Sequence, residues 1–171
     1  EYGFLILENS PIEKKKLEEV FTNYKTFFNL PHIKKNEINM SNTMSNRGWG
    51  ASNAEQVNQK FNPDYKEIFD CGPNISVKHK FEDLPYYSKN ILPKELHSFE
   101  KIIMSFYQSC TEISIQLLKQ IEYSLDYSSN YFANKFELPM ALLRCNYYPP
   151  RPQKLTTKDF GIAPHTDYGC L

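Results

Sequence analysis

The chain has 171 residues, with 20 Lys and Arg against 20 Asp and Glu, so its formal net charge is zero at pH 7. Hydrophobic residues make up 40% and aromatic residues 15%, a composition that excludes intrinsic disorder and indicates a packed core. The balanced charge gives no reason to expect a nucleic-acid or membrane-surface partner. No apolar run reaches the roughly 18 residues that a membrane span needs, and the length suits one domain.

A helix is predicted soon after the N-terminal end of the sequence. The apolar run from Tyr2 to Leu7 is typical of a short strand. Ser10, Pro11 and Glu13 then form the signature of a capped helix start, and Leu30-Pro31 ends the helix. Apolar residues at helical spacing are expected on one buried face: Leu17, Val20, Phe21, Tyr24, Phe27 and Phe28.

A long second helix is predicted after a loop. The segment from Ile38 to Asp64 is rich in Asn, Ser and Gly and lacks periodicity, so we expect loop there. Beyond Pro93, apolar residues recur every three or four positions as far as Leu125. The residues of this stripe are Leu96, Phe99, Ile103, Phe106, Cys110, Ile113, Leu117, Ile121 and Leu125. We interpret it as one helix on a hydrophobic surface; a coiled coil with a partner helix is the alternative.

The C-terminal end of the sequence has a different pattern. A shorter helix is predicted from Ser128 or Ser129 to Phe136. Residues 141–148 are typical of a strand closed by Pro149-Pro150, and residues 161–167 of a second strand. The order of elements is therefore mainly helical first and β afterwards.

The four cysteines indicate the redox compartment. Cys71, Cys110, Cys145 and Cys170 are far apart and form no Cys-x-x-Cys pair. Two disulfides are the alternative, but we expect free thiols in a reducing, cytoplasmic compartment.

The sequence His165-Thr166-Asp167 carries the clearest chemistry. On an extended backbone, residues two apart point to the same side, so His165 and Asp167 can present a nitrogen and a carboxylate oxygen to one point. A second histidine would complete a two-His-one-carboxylate triad, which leaves positions of an iron ion open. Taken alone the pattern is weak, because an Asp two residues from a His can also merely orient it or cap a turn.

Several ordered motifs resemble the iron(II)/2-oxoglutarate-dependent dioxygenases of the isopenicillin N synthase-like family. The stretch Asn146-Tyr147-Tyr148-Pro149-Pro150 precedes His165-Thr166-Asp167 in the family's order. Upstream, the residues that resemble family motifs are Tyr2–Asn9, Phe28–Pro31, Arg47–Trp49 and Asp64–Gly72. The resemblance therefore runs from residue 2 to residue 171.

The resemblance implies site residues, cofactors and a fold. His165 and Asp167 match two Fe(II) ligands, whereas Asn146 and Tyr148 match residues that contact 2-oxoglutarate. The implied fold class is α+β, with a helical N-terminal region over residues 1–137. Residues 138–171 would then begin a double-stranded β-helix, or jelly roll, that is incomplete in this chain.

The implied activity is oxidation of a small organic substrate by O₂, through hydroxylation, desaturation or ring closure. In this family 2-oxoglutarate is converted to succinate and CO₂ in the same reaction. Arg47 is a candidate for the mouth of the site, and a loop salt bridge is an alternative with at least equal weight. The substrate and the oligomeric state are not readable from the sequence.

The sequence departs from the family pattern after Asp167. The family's second iron histidine and its Arg-x-Ser motif, whose Arg pairs with the distal carboxylate of 2-oxoglutarate, would follow Leu171. The upstream histidines, His32, His79 and His97, are expected at the surface or in loops. We therefore expect a fragment that is inactive and poorly folded by itself, with exposed strand edges.

Two other functions stay open at this point. The first is a truncated, non-catalytic relative that acts as a pseudoenzyme or a binding protein. The second is an iron oxidase that uses O₂ without 2-oxoglutarate, as isopenicillin N synthase does.

Overall fold

The computed structural model describes residues 6–43, 45–75, 79–151, 154–167 and 169. The helices and strands are α1 (Lys14–Phe28), α2 (His32–Asn36), α3 (Met40–Thr43), β1 (Gly48–Gly50), β2 (Glu67–Cys71), a 3₁₀ turn (Pro85–Tyr87), α4 (Phe99–Ser124) and β3 (Leu143–Tyr147). The three strands form one antiparallel sheet in the order β1-β2-β3. The architecture is therefore α+β, as expected.

The core lies between one face of this sheet and the helices α1 and α4. Phe69 at the centre of β2 meets Phe27 of α1 at 4.9 Å and Phe99 of α4 at 5.3 Å between ring centroids. All three rings are completely buried, and their planes are steeply inclined, as favourable edge-to-face pairs require. Trp49 of β1 and Ile103 of α4 extend the same cluster.

The side chains of β2 point alternately to the two faces of the sheet. Glu67, Phe69 and Cys71 face the helices, where Glu67 Oε2 accepts hydrogen bonds from Lys35 Nζ at 2.6 Å and Trp49 Nε1 at 2.8 Å. Ile68 and Asp70 lie on the opposite face, since residues next to each other in a strand point to opposite sides. Glu67, although acidic, therefore faces the helices because Lys35 and Trp49 both donate hydrogen bonds to it.

The long helix is confirmed over Phe99–Ser124, close to the predicted bounds. Phe99 and Ile103 of the predicted stripe are fully buried, but further along the helix the buried positions are Tyr107, Leu118 and Glu122. The surface that α4 packs against includes α1 of the same chain. The contact includes a 2.8 Å hydrogen bond from Lys16 Nζ to Ser109 Oγ.

The predicted start of α1 was wrong by three residues. The helix begins at Lys14 rather than Pro11, and Glu13 occupies the N-cap position without a side-chain capping bond. Ser10 Oγ instead accepts a hydrogen bond from the amide of Ile12, within a turn that precedes the helix. Phe21, expected on the buried face, is 69% exposed because the contact surface is centred on Val20, Tyr24 and Phe27.

The predicted short helix between Ser128 and Phe136 was also wrong. This segment forms consecutive turns. Asn130, inside the predicted helix, has a φ angle of 65°, in the left-handed region, which interrupts a right-handed helix.

Two expectations about strands also need correction. Gly48–Gly50 belongs to the predicted loop, and yet it forms β1 through register with Ile68, Phe69 and Asp70 of β2. Conversely, the described residues 161–167 form no strand. Their backbone is held by the loop over residues 58–65 rather than by a neighbouring strand.

The remaining expectations concern the first strand, membrane-spanning helices, the cysteines and the location of the protein. Residues 2–5 of the first predicted strand lie outside the described residues, and residues 6 and 7 are irregular. No described helix is both long enough and apolar enough to cross a membrane. Cys71, Cys110 and Cys145 are free thiols, whereas Cys170 is not described. The boundary at residue 137 and the cytoplasmic location stay predictions.

Candidate metal and 2-oxoglutarate site

The structure brings His165 and Asp167 together. His165 Nε2 lies 3.2 Å from Asp167 Oδ1. The imidazole side chain is 28% exposed, and the carboxylate is 92% exposed. The two groups therefore converge as predicted, although the described backbone around them is irregular rather than a strand.

The other ring nitrogen of His165 fixes the orientation of the imidazole. Nδ1 lies 2.7 Å from the carbonyl oxygen of Ala163. Because a carbonyl can only accept a hydrogen bond, Nδ1 must carry the proton in this arrangement. When the ring carries its proton on Nδ1 alone, the lone pair of Nε2 faces the Asp167 carboxylate, so the two side chains present a nitrogen donor and an oxygen donor to one point.

The donor set fits two ligands of a six-coordinate metal ion. An imidazole nitrogen and a carboxylate oxygen at about 2.1 Å from such an ion, at a right angle, lie about 3.0 Å apart. The observed separation of 3.2 Å agrees with this geometry. Within the described ranges, no group of three or more His, Cys, Asp or Glu side chains is placed to hold a metal ion. The described residues thus bring two donor groups of this kind, rather than three, to one point.

Asn146 and Tyr148, the expected 2-oxoglutarate contacts, lie at the C-terminal end of β3. Asn146 is opposite Ile68 of β2 and is exposed, and Tyr148 directly follows the strand and is half exposed. A Cβ added to Gly161 would lie 2.7 Å from Cδ1 of the Tyr148 ring. Gly161 therefore permits close contact between the end of β3 and the segment that carries His165.

A charged network lies on the same face of the sheet as Asn146. Arg144 of β3 donates to both carboxylate oxygens of Asp70, at 2.8 and 2.7 Å, and also to Glu55 at 3.0 Å. Burial of Arg144 lowers its pKa, but the hydrogen bonds and charges of Asp70 and Glu55 outweigh this effect and raise the pKa overall. The bidentate pair fixes the register of β3 against β2, because its geometry is rigid.

Arg47 lies beside this network but forms no salt bridge among the described residues. It is 2% exposed and donates to the backbone carbonyls of Asn46 and Tyr86. Burial lowers the pKa of its guanidinium group. Arg47 and Arg144 both line a cavity of about 420 Å³. Among the described residues Arg47 thus binds backbone carbonyls, and both the position near the site mouth and its loop salt-bridge alternative stay predictions.

Comparison with known proteins identifies the family. The family model described as the N-terminal part of the non-haem dioxygenases, named for morphine synthesis, matches residues 1–95, which is more than half of the chain. The chain belongs to this non-haem dioxygenase family. The resemblance stated from the sequence motifs is thereby confirmed.

A curated relative agrees with this assignment. The 2-oxoglutarate-dependent dioxygenase gloF of Glarea lozoyensis is 27% identical over 99% of the chain, which corresponds to 53% of the relative. The chain thus spans about half the length of the curated relatives it matches.

Solved structures of oxygenases share the fold. A 2OG-Fe(II) oxygenase family protein from Caulobacter crescentus matches with a TM-score of 0.73 and 22% identity, over 84% of this chain and 46% of that one. A full-length protein from Neurospora crassa, solved in complex with alpha-KG, matches with a TM-score of 0.67 and 28% identity, over 84% of this chain and 44% of that one. The described elements therefore fold as the corresponding part of such oxygenases does.

Sequence reasoning missed the residues that support the site. Asp64 Oδ1 accepts a hydrogen bond from the amide of Ala163, and Gly161 packs on Tyr148. Asp64 lies in the stretch Asp64–Gly72, which resembles a family motif. The motif does not indicate the hydrogen-bond partner of Asp64. That partner lies 99 residues further along the chain, a distance that no local pattern reveals.

Proposed function

We propose that this chain is the N-terminal part of an Fe(II)- and 2-oxoglutarate-dependent dioxygenase that oxidises a small organic substrate. The observation that carries the proposal is the convergence of His165 Nε2 and Asp167 Oδ1 at 3.2 Å in a chain of the non-haem dioxygenase family. The names of its relatives support the use of 2-oxoglutarate. The jelly-roll core that begins with β3 is part of the same proposal.

In this proposal His165 and Asp167 hold the iron, and a second histidine outside this sequence completes the triad. Bound iron supplies the activation of O₂, coupled to conversion of 2-oxoglutarate to succinate and CO₂. The residues of this chain orient the reactants. Ala163 O accepts the Nδ1 proton of His165, which leaves Nε2 free to act as a ligand.

Asn146 and Tyr148 are proposed to bind 2-oxoglutarate. Both side chains are exposed at the end of β3, where a ligand can reach them. The Tyr148 hydroxyl can donate a hydrogen bond to a carboxylate oxygen, and the Asn146 amide can donate as well. The Neurospora crassa protein has also been solved with alpha-KG and thymine, which supports a small-molecule substrate for this chain.

The proposal is tested on the complete protein that contains this sequence. Anaerobic Fe(II) and 2-oxoglutarate are added to wild type, Tyr148→Phe and Asn146→Ala, and the visible charge-transfer absorption of the complex is titrated with 2-oxoglutarate. We expect both variants to need higher 2-oxoglutarate concentrations than wild type. Unchanged titration curves would contradict the assignment of these two residues.

Product analysis separates the dioxygenase from its alternatives. Succinate formed in proportion to substrate oxidation supports the proposed reaction. Substrate oxidation without succinate would instead favour an oxidase that does not use 2-oxoglutarate, and the absence of Fe(II) binding would favour a non-catalytic relative.

A further inference from the structure

The segment that carries His165 is attached to one loop of the N-terminal region. The amides of Asn62 and Tyr65 donate to the carbonyls of Lys158 and Phe160, both at 3.0 Å. Two side chains add further bonds: Asn62 Nδ2 donates to Asp159 Oδ1 at 2.7 Å, and Asn58 Nδ2 donates to Pro164 O at 2.9 Å. The position of His165 therefore depends on this loop.

Asp64 differs from the other contacts because it is buried. Its side chain is fully enclosed, and Oδ1 accepts a hydrogen bond from the Ala163 amide at 3.2 Å. Oδ2 lies 3.4 Å from Nζ of Lys66, whose side chain is also enclosed and lies 3.2 Å from Glu55. A buried carboxylate is costly unless it is paired, so this arrangement commits Asp64 to one orientation.

The backbone of Ala163 connects this buried carboxylate to the candidate metal ligand. Ala163 is 1% exposed, its amide binds Asp64, and its carbonyl accepts the Nδ1 proton of His165 at 2.7 Å. Because Pro164 follows, the backbone of Ala163 is restricted to extended conformations. The N–H and C=O of Ala163 belong to successive peptide planes that meet at its Cα, and burial together with the narrowed backbone range limits how far one plane can turn without the other.

We propose that Asp64 is a positioning residue that sets the ring orientation and tautomer of His165 through the backbone of Ala163. This inference rests on the proposed function, because it takes His165 to be a metal ligand. Without the Asp64 acceptor, the buried Ala163 amide lacks a partner, and the backbone around Ala163 has to adjust to find one, which displaces the carbonyl from His165 Nδ1. His165 then loses the hydrogen bond that keeps Nε2 available.

The test measures metal affinity in the complete protein with Co(II), a redox-stable stand-in for Fe(II). The variants are Asp64→Ala, which removes the acceptor, and Asp64→Asn, which keeps an acceptor oxygen and removes the charge. Asn62→Ala is the matched control, since it breaks a bond between the same loop and the same segment at Asp159. Thermal unfolding without metal reports the structural effect of each variant separately.

We expect Asp64→Ala to weaken Co(II) binding about tenfold or more, the range found for residues that orient metal ligands. Asp64→Asn and Asn62→Ala should stay within about threefold of wild type. Wild-type affinity in a folded Asp64→Ala protein would overturn the proposal. Equal weakening by Asp64→Asn and Asp64→Ala would overturn it as well, because the acceptor oxygen would then not be the cause.

Two further measurements cover the case in which Asp64→Ala does not fold and test the proposed function separately. If Asp64→Ala does not fold, long-range ¹H–¹⁵N spectra of the metal-free wild type report the His165 tautomer. A ring that carries a proton on Nδ1 supports the proposal, and a neutral ring protonated only at Nε2 overturns it. His165→Ala tests the proposed function separately: if it binds Co(II) as wild type does, the ligand assignment fails, whatever Asp64 does.

Discussion

The aromatic core and the segment that carries His165 are held in place by different forces. In the core, Phe27, Phe69 and Phe99 lose all contact with water and interlock as rings. In the segment over residues 154–167, Ala163 is buried, but His165 and Asp167 are exposed, and hydrogen bonds to the 58–65 loop fix the backbone. Substitutions in the aromatic core should therefore mainly change the free energy of unfolding, whereas substitutions in the 58–65 loop should mainly change the position of His165.

The largest expected effect on stability comes from the core. Phe69→Ala removes a fully buried ring that contacts Phe27 and Phe99, and it should lower the free energy of unfolding by about 3–5 kcal/mol. Phe21→Ala on the exposed side of α1 should change it by no more than about 0.5 kcal/mol. Urea unfolding of both variants of the complete protein checks this difference, and equal losses would show that the core is not centred on Phe69.

The network at β3 should have the next largest effect. Arg144→Met leaves the buried carboxylate of Asp70 without its bidentate partner, which should cost about 3 kcal/mol. The control is Lys14→Ala, which breaks an exposed pair with Glu18 and should cost about 0.5 kcal/mol or less. A loss of less than about 1 kcal/mol for Arg144→Met, determined by urea unfolding, would mean that the network does not hold β3 in place.

A smaller and more local effect is expected at Gly161. Gly161→Ala places a methyl group against the Tyr148 ring and so displaces that side chain. We expect weaker binding of 2-oxoglutarate, with a loss of stability of about 1–2 kcal/mol from local overpacking. Titration of the iron complex with 2-oxoglutarate measures the first effect. Wild-type affinity would argue against Tyr148 as a 2-oxoglutarate contact.

The smallest effect concerns the exposed carboxyl of Asp159. Hydrogen bonds from the Asn62 side chain and from the amide and hydroxyl of Thr156 lower the pKa of Asp159 to about 2. An unfolded Asp titrates near 3.9, so this contribution to stability is present above about pH 4 and is lost as the pH falls through about 2. Carboxyl ¹³C NMR should show the pKa rising towards its ordinary value in Asn62→Ala. An unchanged pKa in that variant would contradict the role of Asn62.

The sequence predicted the elements that depend on local patterns. The long helix α4 follows from apolar residues at helical spacing, and β3 from a run of strand-forming residues before Pro149. The pairing of His165 with Asp167 also follows from their separation, although the structure achieves it in an irregular segment. The family motifs pointed to these residues, because their order in the chain is itself specific.

Other features depend on partners far away in the chain. Gly48–Gly50 has no strand pattern of its own and becomes β1 through pairing with β2. The predicted helix near Ser128 fails because Asn130 adopts a left-handed conformation, which composition alone does not reveal. Asp64 likewise gains its role only when the fold brings Ala163 to it.

The assignment of His165 and Asp167 as iron ligands is tested most directly by anaerobic Fe(II) titration of the complete protein by calorimetry. Asp167→Ala, His165→Ala and Phe21→Ala are compared with wild type. The Asp167 side chain is 92% exposed, so its loss should leave the folded protein intact while Fe(II) binding falls at least about tenfold. His165→Ala should show the same loss, and Phe21→Ala should bind as wild type does. Equal Fe(II) affinity in all four proteins would contradict the assignment of His165 and Asp167 as iron ligands.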